Sequence, residues 1–331
     1  MSRSTDTSPL FQASPGSRRE TTLAVQGGAN AEALEIPLLI ARGQQDGPVV
    51  AVLGGVHGDE YEGTVAAGMI WQQLDVEALC GTVIVVPTAN PPACTAGSRT
   101  SPTDGLNLAR TFPGSPTGTI SQRIAHGLSE AIIGRVDFLI DLHSAGQHYA
   151  MPLLCGSYAG DNALGRRCLA AAAAFGAPIL WEHPTVAPGR TLSVALEAGI
   201  PCLYVECSGG GRIRSDEVEA YVEGVRRVLA HLGAFPQPAP PASPQLRLRD
   251  TGNTDEALQV TCAGFLVSRV PLLARVECGQ ALGEVFDARG AVLETLRAPH
   301  DGIVVLARRT ARVHPGDGAY LLATEAHDTA Q

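Results

Sequence analysis

His57 and Glu60 stand three residues apart in GGVHGDE (54–60), a glycine-rich stretch that overlaps the end of the apolar run PVVAVLGG (48–55). An imidazole and a carboxylate at that separation can converge on one cation, at the roughly 2.0 to 2.2 Å that zinc requires of nitrogen and oxygen ligands. Taken alone, His-x-x-Glu is a common chance match. A second apolar run, VDFLIDLHSAG (136–146), carries His143 at its end, where a third ligand would arise if the two runs are strands of one parallel sheet. His57, Glu60 and His143 would then hold one Zn2+ per chain and leave a coordination position for water, as catalytic rather than structural zinc sites do. The same donor set suits manganese, cobalt or iron. Asp141, two residues before His143 and so on the same side of the strand, either holds a ring N–H of that histidine or simply ends the strand. Each histidine by itself reads as an ordinary turn or core histidine; their occurrence together with Glu60 at strand ends favours the metal.

Metal-assisted hydrolysis also needs a base and groups that steady charge. PCLYVECSGGG (201–211) is an apolar strand ending in Glu206, where a carboxylate could take a proton from water and return it to a leaving amine. The three glycines allow close backbone approach, and the competing reading is a plain strand-to-loop turn. The long polar loop 90–114 carries Arg99 and Arg110. Guanidinium groups suit both bidentate capture of a carboxylate and polarisation of a carbonyl, although solvated surface arginines are commoner.

These groups need a scaffold that brings strand ends together. Helix-like segments at 61–74, 119–133, 161–175, 190–198 and 215–232 alternate with strand-like runs at 82–88, 136–142, 151–155, 178–181 and 201–206, after a short β entry within 21–45. This alternation predicts an α/β domain with a largely parallel sheet covered by helices on both faces. The proline-dense PQPAPPASPQ (236–245) reads as a linker between a domain over 21–235 and a small all-β domain over 246–325, with tails at 1–20 and 326–331. Strands are expected near 246–249, 257–260, 264–267, 281–286, 302–306 and 319–323, with turns that resemble biotinyl/lipoyl-like barrels.

All 24 basic residues are arginine, so that domain cannot carry a lysine-linked group, and Schiff-base chemistry is excluded. It is therefore read as a structural or lid domain. The net charge of −9 argues against nucleic acid as a partner. No apolar run is long enough to cross a bilayer, and the N-terminal segment lacks the apolar stretch of a secretory signal, so a cytoplasmic protein is expected. The eight cysteines, with no CxxC pair, read as reduced thiols; Cys202 and Cys207 flank an apolar strand and are taken as core.

In this order, GGVHGDE, NPPA, Arg99, NLARTFPG, DLHSAG and VECSGGG resemble the succinylglutamate desuccinylase/aspartoacylase family, part of the wider zinc-carboxypeptidase fold, over about residues 21–325. The resemblance implies a zinc-dependent amidohydrolase that removes an acyl group from the α-nitrogen of a small amino acid. Its ligands would be His57, Glu60 and His143, its base Glu206, its carbonyl polariser Arg99 and its carboxylate anchor Arg110. One position departs from the pattern: Ala109 stands where the family has asparagine before the anchoring arginine, and Asn107 is the candidate to replace that contact. Chain length and the triple glycine are most similar to the branch that includes N-acetyl-L-2,4-diaminobutyrate deacetylase. His148 and His183 are candidates to line the site but read first as structural. By base rate alone a homodimer is admissible. Two alternatives stay open: a metallocarboxypeptidase acting on peptides, and a non-catalytic metal-binding module.

Overall fold

The computed structural model describes residues 12–26, 33–236 and 243–326. In chain order the elements are β1 (Ser17–Val25), β2 (Leu34–Arg42), β3 (Gln45–Leu53), α1 (Tyr61–Gln73), β4 (Cys80–Val86), α2 (Pro91–Ala96), α3 (Ile120–Ala131), β5 (Phe138–Leu142), β6 (Tyr149–Ala150), β7 (Leu154–Tyr158), α4 (Ala163–Phe175), β8 (Ile179–His183), α5 (Thr191–Glu197), β9 (Cys202–Glu206) and α6 (Ser215–His231). The remaining strands are β10 (Leu246–Arg249), β11 (Leu258–Gln259), β12 (Gly264–Ser268), β13 (Arg275–Val276), β14 (Ala281–Phe286), β15 (Val292–Arg297), β16 (Gly302–Arg308), β17 (Arg312–Val313) and β18 (Gly318–Ala323).

Continuous apolar runs such as Val50–Leu53 and Phe138–Ile140 bury both faces of their strands, which is why they lie at the centre of a sheet covered on two sides. That sheet has nine strands in the order β1-β2-β4-β3-β5-β9-β7-β8-β10. β4, β3, β5 and β9 run parallel, as do β7, β8 and β10, while β7 meets β9 antiparallel and β1 and β2 add an antiparallel edge. Helices α1, α4 and α6 cover one face through Ile70, Trp71, Phe175, Tyr221 and Val228. Helices α3 and α5 cover the other through Ile124, Leu128, Leu192 and Ala195. The α/β expectation is met, with antiparallel pairings at the β1-β2-β4 edge and inside the sheet between β9 and β7.

Three boundaries differ from the sequence reading. β1 begins at Ser17, inside the segment taken as a tail, because its residues pair antiparallel with β2 from Ser17↔Arg42 onwards. β10, assigned above to the small β domain, pairs parallel with β8 and closes the edge of the main sheet. Its LRLR alternation suits an edge strand of either sheet, and pairing alone decides between them. The loop 90–114 contains α2 and a short 3-10 turn at Leu108–Arg110. Residues 1–11, 237–242 and 327–331, which hold most of the proposed linker and tails, lie outside the described residues.

The C-terminal region forms two antiparallel sheets, β11-β18-β16-β13 and β15-β14-β12-β17, around Val260, Leu282, Val285, Val304, Val313 and Tyr320. It does not sit apart from the α/β unit. β6 pairs with β16, and Met151, Trp181, Leu248, Val305, Leu306 and Leu321 pack as one apolar cluster between the two regions. Burying such a cluster contributes about 1.5–3 kcal/mol per large side chain, so the contact is a fixed wall rather than a tethered flap.

Candidate active site

β3 and β5 are neighbours in parallel register, with Leu53 opposite Asp141, so their carboxyl ends deliver His57, Glu60 and His143 to the same edge of the sheet. The turn between β3 and α1 is tight: a Cβ on Gly58 would fall 1.9 Å from the carbonyl oxygen of Ala93, so only glycine lets it pass against α2. Glu60 then stands at the N-cap of α1. Its Oε1 is 2.7 Å from His57 Nδ1 and its Oε2 is 2.8 Å from His143 Nδ1, all three residues being buried.

The far side of each ring is held. Asn107 Oδ1 accepts from the Ala109 N–H at 3.0 Å, which fixes that atom as the amide oxygen, so His57 Nε2–H at 2.9 Å must be the donor. His143 Nε2–H donates to Asp141 Oδ2 at 3.0 Å, and the Thr191 hydroxyl donates to the same carboxylate oxygen. A neutral imidazole that donates through Nε2 presents a bare lone pair at Nδ1. Two such lone pairs aimed at a carboxylate repel it unless a cation or additional protons lie between them. The donor set therefore fits a divalent metal ligated through both Nδ1 atoms and Glu60, with Asn107 and Asp141 orienting the rings. Without a metal the charges compensate one another. Burial pushes Glu60 up, but His57 and His143 outweigh it and hold the carboxyl well below its usual range. Burial pulls His143 down, but Asp141 and Glu60 outweigh it and raise the ring well above its usual value.

The same strand ends are braced from below. Tyr221 on α6 donates to the carbonyl of His143 at 2.6 Å, Ser144 donates to Glu62 on α1 at 2.7 Å, and Ser208 donates to Glu217 on α6 at 2.7 Å. The triple glycine has a positional reason. Gly209 adopts φ of +58°, and a Cβ there would fall 2.6 Å from the carbonyl oxygen of Gly146, so the loops after β5 and β9 run side by side only without side chains.

A cavity of about 310 Å³ opens onto this group and is lined by every site residue expected from sequence: His57, Glu60, Arg99, Asn107, Arg110, His143 and Glu206. Glu206 Oε2 is buried without a hydrogen-bond partner among the described residues. Burial, reinforced by the charge of Glu60, pushes its carboxyl up to about 8 against the pull of His143 and Arg99. Arg99 lies 3.0 Å from Glu60 Oε1, beside the metal group. Asn107, expected to contact a substrate carboxylate, commits its Oδ1 to His57 and Ala109, capping the 3-10 turn ahead of Arg110. His183 lines the cavity, whereas His148 is tied through its carbonyl to the Arg309 N–H.

Three cavity residues carried no signal in the sequence. Arg190, in the turn before α5, reaches Asn253 Oδ1 at 2.7 Å. Asp255, in the loop after β10, accepts from Arg110 Nε at 2.7 Å and Nη2 at 2.8 Å. Tyr204 precedes Glu206 by two residues on β9 and accompanies it into the cavity. None belongs to a spaced motif; only the strand alternation Tyr204-x-Glu206 could have pointed to one of them.

Among the described residues no helix is long and apolar enough to cross a membrane. All eight cysteines are unpaired, and Cys155, Cys168, Cys202 and Cys207 are buried.

Residues 46–232 match the model of the succinylglutamate desuccinylase/aspartoacylase catalytic domain. A protein of Halomonas elongata named N-alpha-acetyl-L-2,4-diaminobutyric acid deacetylase is 34% identical over 296 residues, covering 88% of this chain and 86% of the relative. A solved succinylglutamate desuccinylase from Silicibacter sp. superposes with a TM-score of 0.86 at 26% identity, over 97% of this chain and 98% of that one. The product-bound ectoine utilization protein EutE of Ruegeria pomeroyi superposes with a TM-score of 0.84 at 27% identity, over 96% and 97% of the two chains.

Proposed function

The chain belongs to the succinylglutamate desuccinylase/aspartoacylase family and is a hydrolase of N-acyl amino acids; from this we propose that it is a zinc-dependent deacetylase whose substrate is a small Nα-acetyl amino acid of the 2,4-diaminobutyrate type. The observation that carries this reading is the convergence of His57 Nδ1, His143 Nδ1 and the Glu60 carboxylate, beside Glu206, whose Oε2 is buried with no hydrogen-bond partner among the described residues, within a single cavity.

A zinc ion held by His57, Glu60 and His143 supplies Lewis-acid activation of water and of the acyl carbonyl when bound. Arg110, through its planar guanidinium, takes the α-carboxylate and fixes the amide in the cavity. Glu206 accepts the proton of the attacking water, for which its raised affinity for protons fits it, and passes that proton to the departing amine. Arg99 donates to the carbonyl oxygen as negative charge develops there. Asn107 and Asp141 keep the two imidazoles from rotating. One zinc per chain and a cytoplasmic location belong to the same reading.

Peptide hydrolysis of the carboxypeptidase kind is disfavoured by the cavity wall. Thr251, Gly252, Thr254, Asp255, Gly316 and Gly318 close it from the C-terminal side of the chain and leave space for a small molecule. The test is amine release from a panel of N-acetyl and N-succinyl amino acids set against N-blocked tripeptides. Preferential turnover of an Nα-acetyl diamino acid is expected; faster turnover of the peptides would replace this reading with the peptidase one.

A further inference from the structure

The cavity is lined by four carboxylates: Glu60 holds the two imidazoles, Asp141 holds His143 and Thr191, and Glu206, whose Oε2 has no hydrogen-bond partner among the described residues, is the base of the reading above. The fourth, Asp255, comes from the C-terminal side of the chain and is about half exposed to the cavity and solvent. It faces two guanidiniums, Arg110 at 2.7 Å and Arg190 at 3.5 Å. Arg110, Arg190 and Asp255 together carry one net positive charge, the complement of a single carboxylate on a ligand. Arg110 hydrogen-bonded to Asp255 holds its carboxyl below the usual range, so the negative charge persists at neutral pH.

A second observation points the same way. His183 Nδ1 lies 3.0 Å from the carbonyl oxygen of Asp250, which can only accept, so Nδ1 carries the proton. Burial keeps the ring from charging. Nε2 is therefore bare, and the Tyr204 hydroxyl, 2.9 Å away, must donate to it. A Cβ on Gly252 would fall 2.1 Å from the His183 ring, so the loop after β10 packs directly on the histidine that sets this arrangement. With its proton spent on His183, Tyr204 offers the cavity an acceptor and cannot donate to a carboxylate.

We propose that Asp255, supported by the acceptor oxygen of Tyr204, sets side-chain specificity by admitting a substrate with a cationic side chain and rejecting one with a second carboxylate. This rests on the deacetylase reading above and adds which group enforces it.

The test measures kcat/KM of the zinc-loaded full chain and of Asp255→Asn on three probes of similar size: Nα-acetyl-L-2,4-diaminobutyrate, Nα-acetyl-L-2-aminobutyrate and Nα-acetyl-L-aspartate. The wild type is expected to prefer the cationic probe to the anionic one. In Asp255→Asn that ratio should fall at least tenfold, with loss on the cationic probe and gain on the anionic one, the uncharged probe moving least. Tyr204→Phe, which removes the acceptor, should lower turnover of the cationic probe relative to the uncharged one. An equal fall on all three probes would mean that Asp255 only steadies Arg110, and an equal rise that it only competes for Arg110; either overturns the proposal. If the wild type releases amine from none of the probes, the deacetylase reading itself fails.

Discussion

His143 Nε2 lies 3.0 Å from Asp141 Oδ2, two residues earlier in the chain, and the Thr191 hydroxyl occupies the same carboxylate oxygen. Asp141 is 1% exposed, so this pair exists only because β5 brings both side chains to one face of a fully buried strand. Its effect is to point Nδ1 at Glu60, and Asn107 does the same for His57 from a different segment. Asp141→Asn and Asn107→Ala should each weaken zinc binding about 10- to 100-fold, as loss of ring-orienting partners does elsewhere, measured by competition with a chromophoric chelator. Unchanged affinity in both variants would mean that the rings are held by packing alone.

Glu206→Gln should retain zinc and lose activity by about 10²- to 10⁴-fold, the range for a positioned acid–base group. It should also stabilise the metal-free protein at alkaline pH. The folded-state carboxyl is raised from 4.5 to about 8, so between those values the folded state binds more protons than the unfolded chain. Stability therefore falls as pH rises through that window. The glutamine variant lacks this loss, and the difference in Tm between the two metal-free proteins should grow from about pH 5 to pH 8. A constant difference would place the Glu206 carboxylate in a wetter setting than the structure shows.

Arg110→Ala should raise KM for Nα-acetyl amino acids by at least tenfold while leaving turnover of the corresponding carboxamides nearly unchanged, because only the former present the charge that the guanidinium takes. An equal loss on acids and carboxamides would assign Arg110 to holding Asp255 and the C-terminal wall.

Gly209→Ala should cost about 1–3 kcal/mol of stability, since it combines a left-handed backbone with a collision against the Gly146 carbonyl. Because the displaced loop follows Glu206 directly, kcat should fall more than zinc affinity does. A variant of wild-type stability and rate would show that the loops after β5 and β9 can separate freely.

The convergence of His57, Glu60, His143 and Glu206 on one cavity was legible in sequence because each follows a largely apolar run that reads as a buried strand. In a parallel sheet, strand ends meet at one edge, so position along the chain translated into position in space for His57, Glu60, His143 and Glu206. Asp141 was legible as one of two alternatives, and the structure selects the ring-holding one. Arg190 and Asp255 were not legible. They reach the cavity from the turn before α5 and the loop after β10, and nothing in local residue pattern encodes which loops fold over the same sheet edge. Asn107 was identified as a site residue, but its contact with His57 was not legible: its side-chain oxygen caps the 3-10 turn, and which ring lies beside that cap is set by tertiary packing. β10 was placed in the wrong sheet for a related reason: a four-residue alternating strand fits either edge until its neighbour is known. The short strands β6, β13 and β17, of two residues each, carry too few side chains for any periodicity to register.

The most direct test of the central claim is elemental analysis of the purified chain, followed on the same sample by acetate release from Nα-acetyl-L-2,4-diaminobutyrate before chelation, after chelation and after return of zinc. The expected result is one zinc per chain, with activity lost on chelation and restored in proportion to the zinc returned. Full activity in the chelated, zinc-free protein would contradict a metal role for His57, Glu60 and His143.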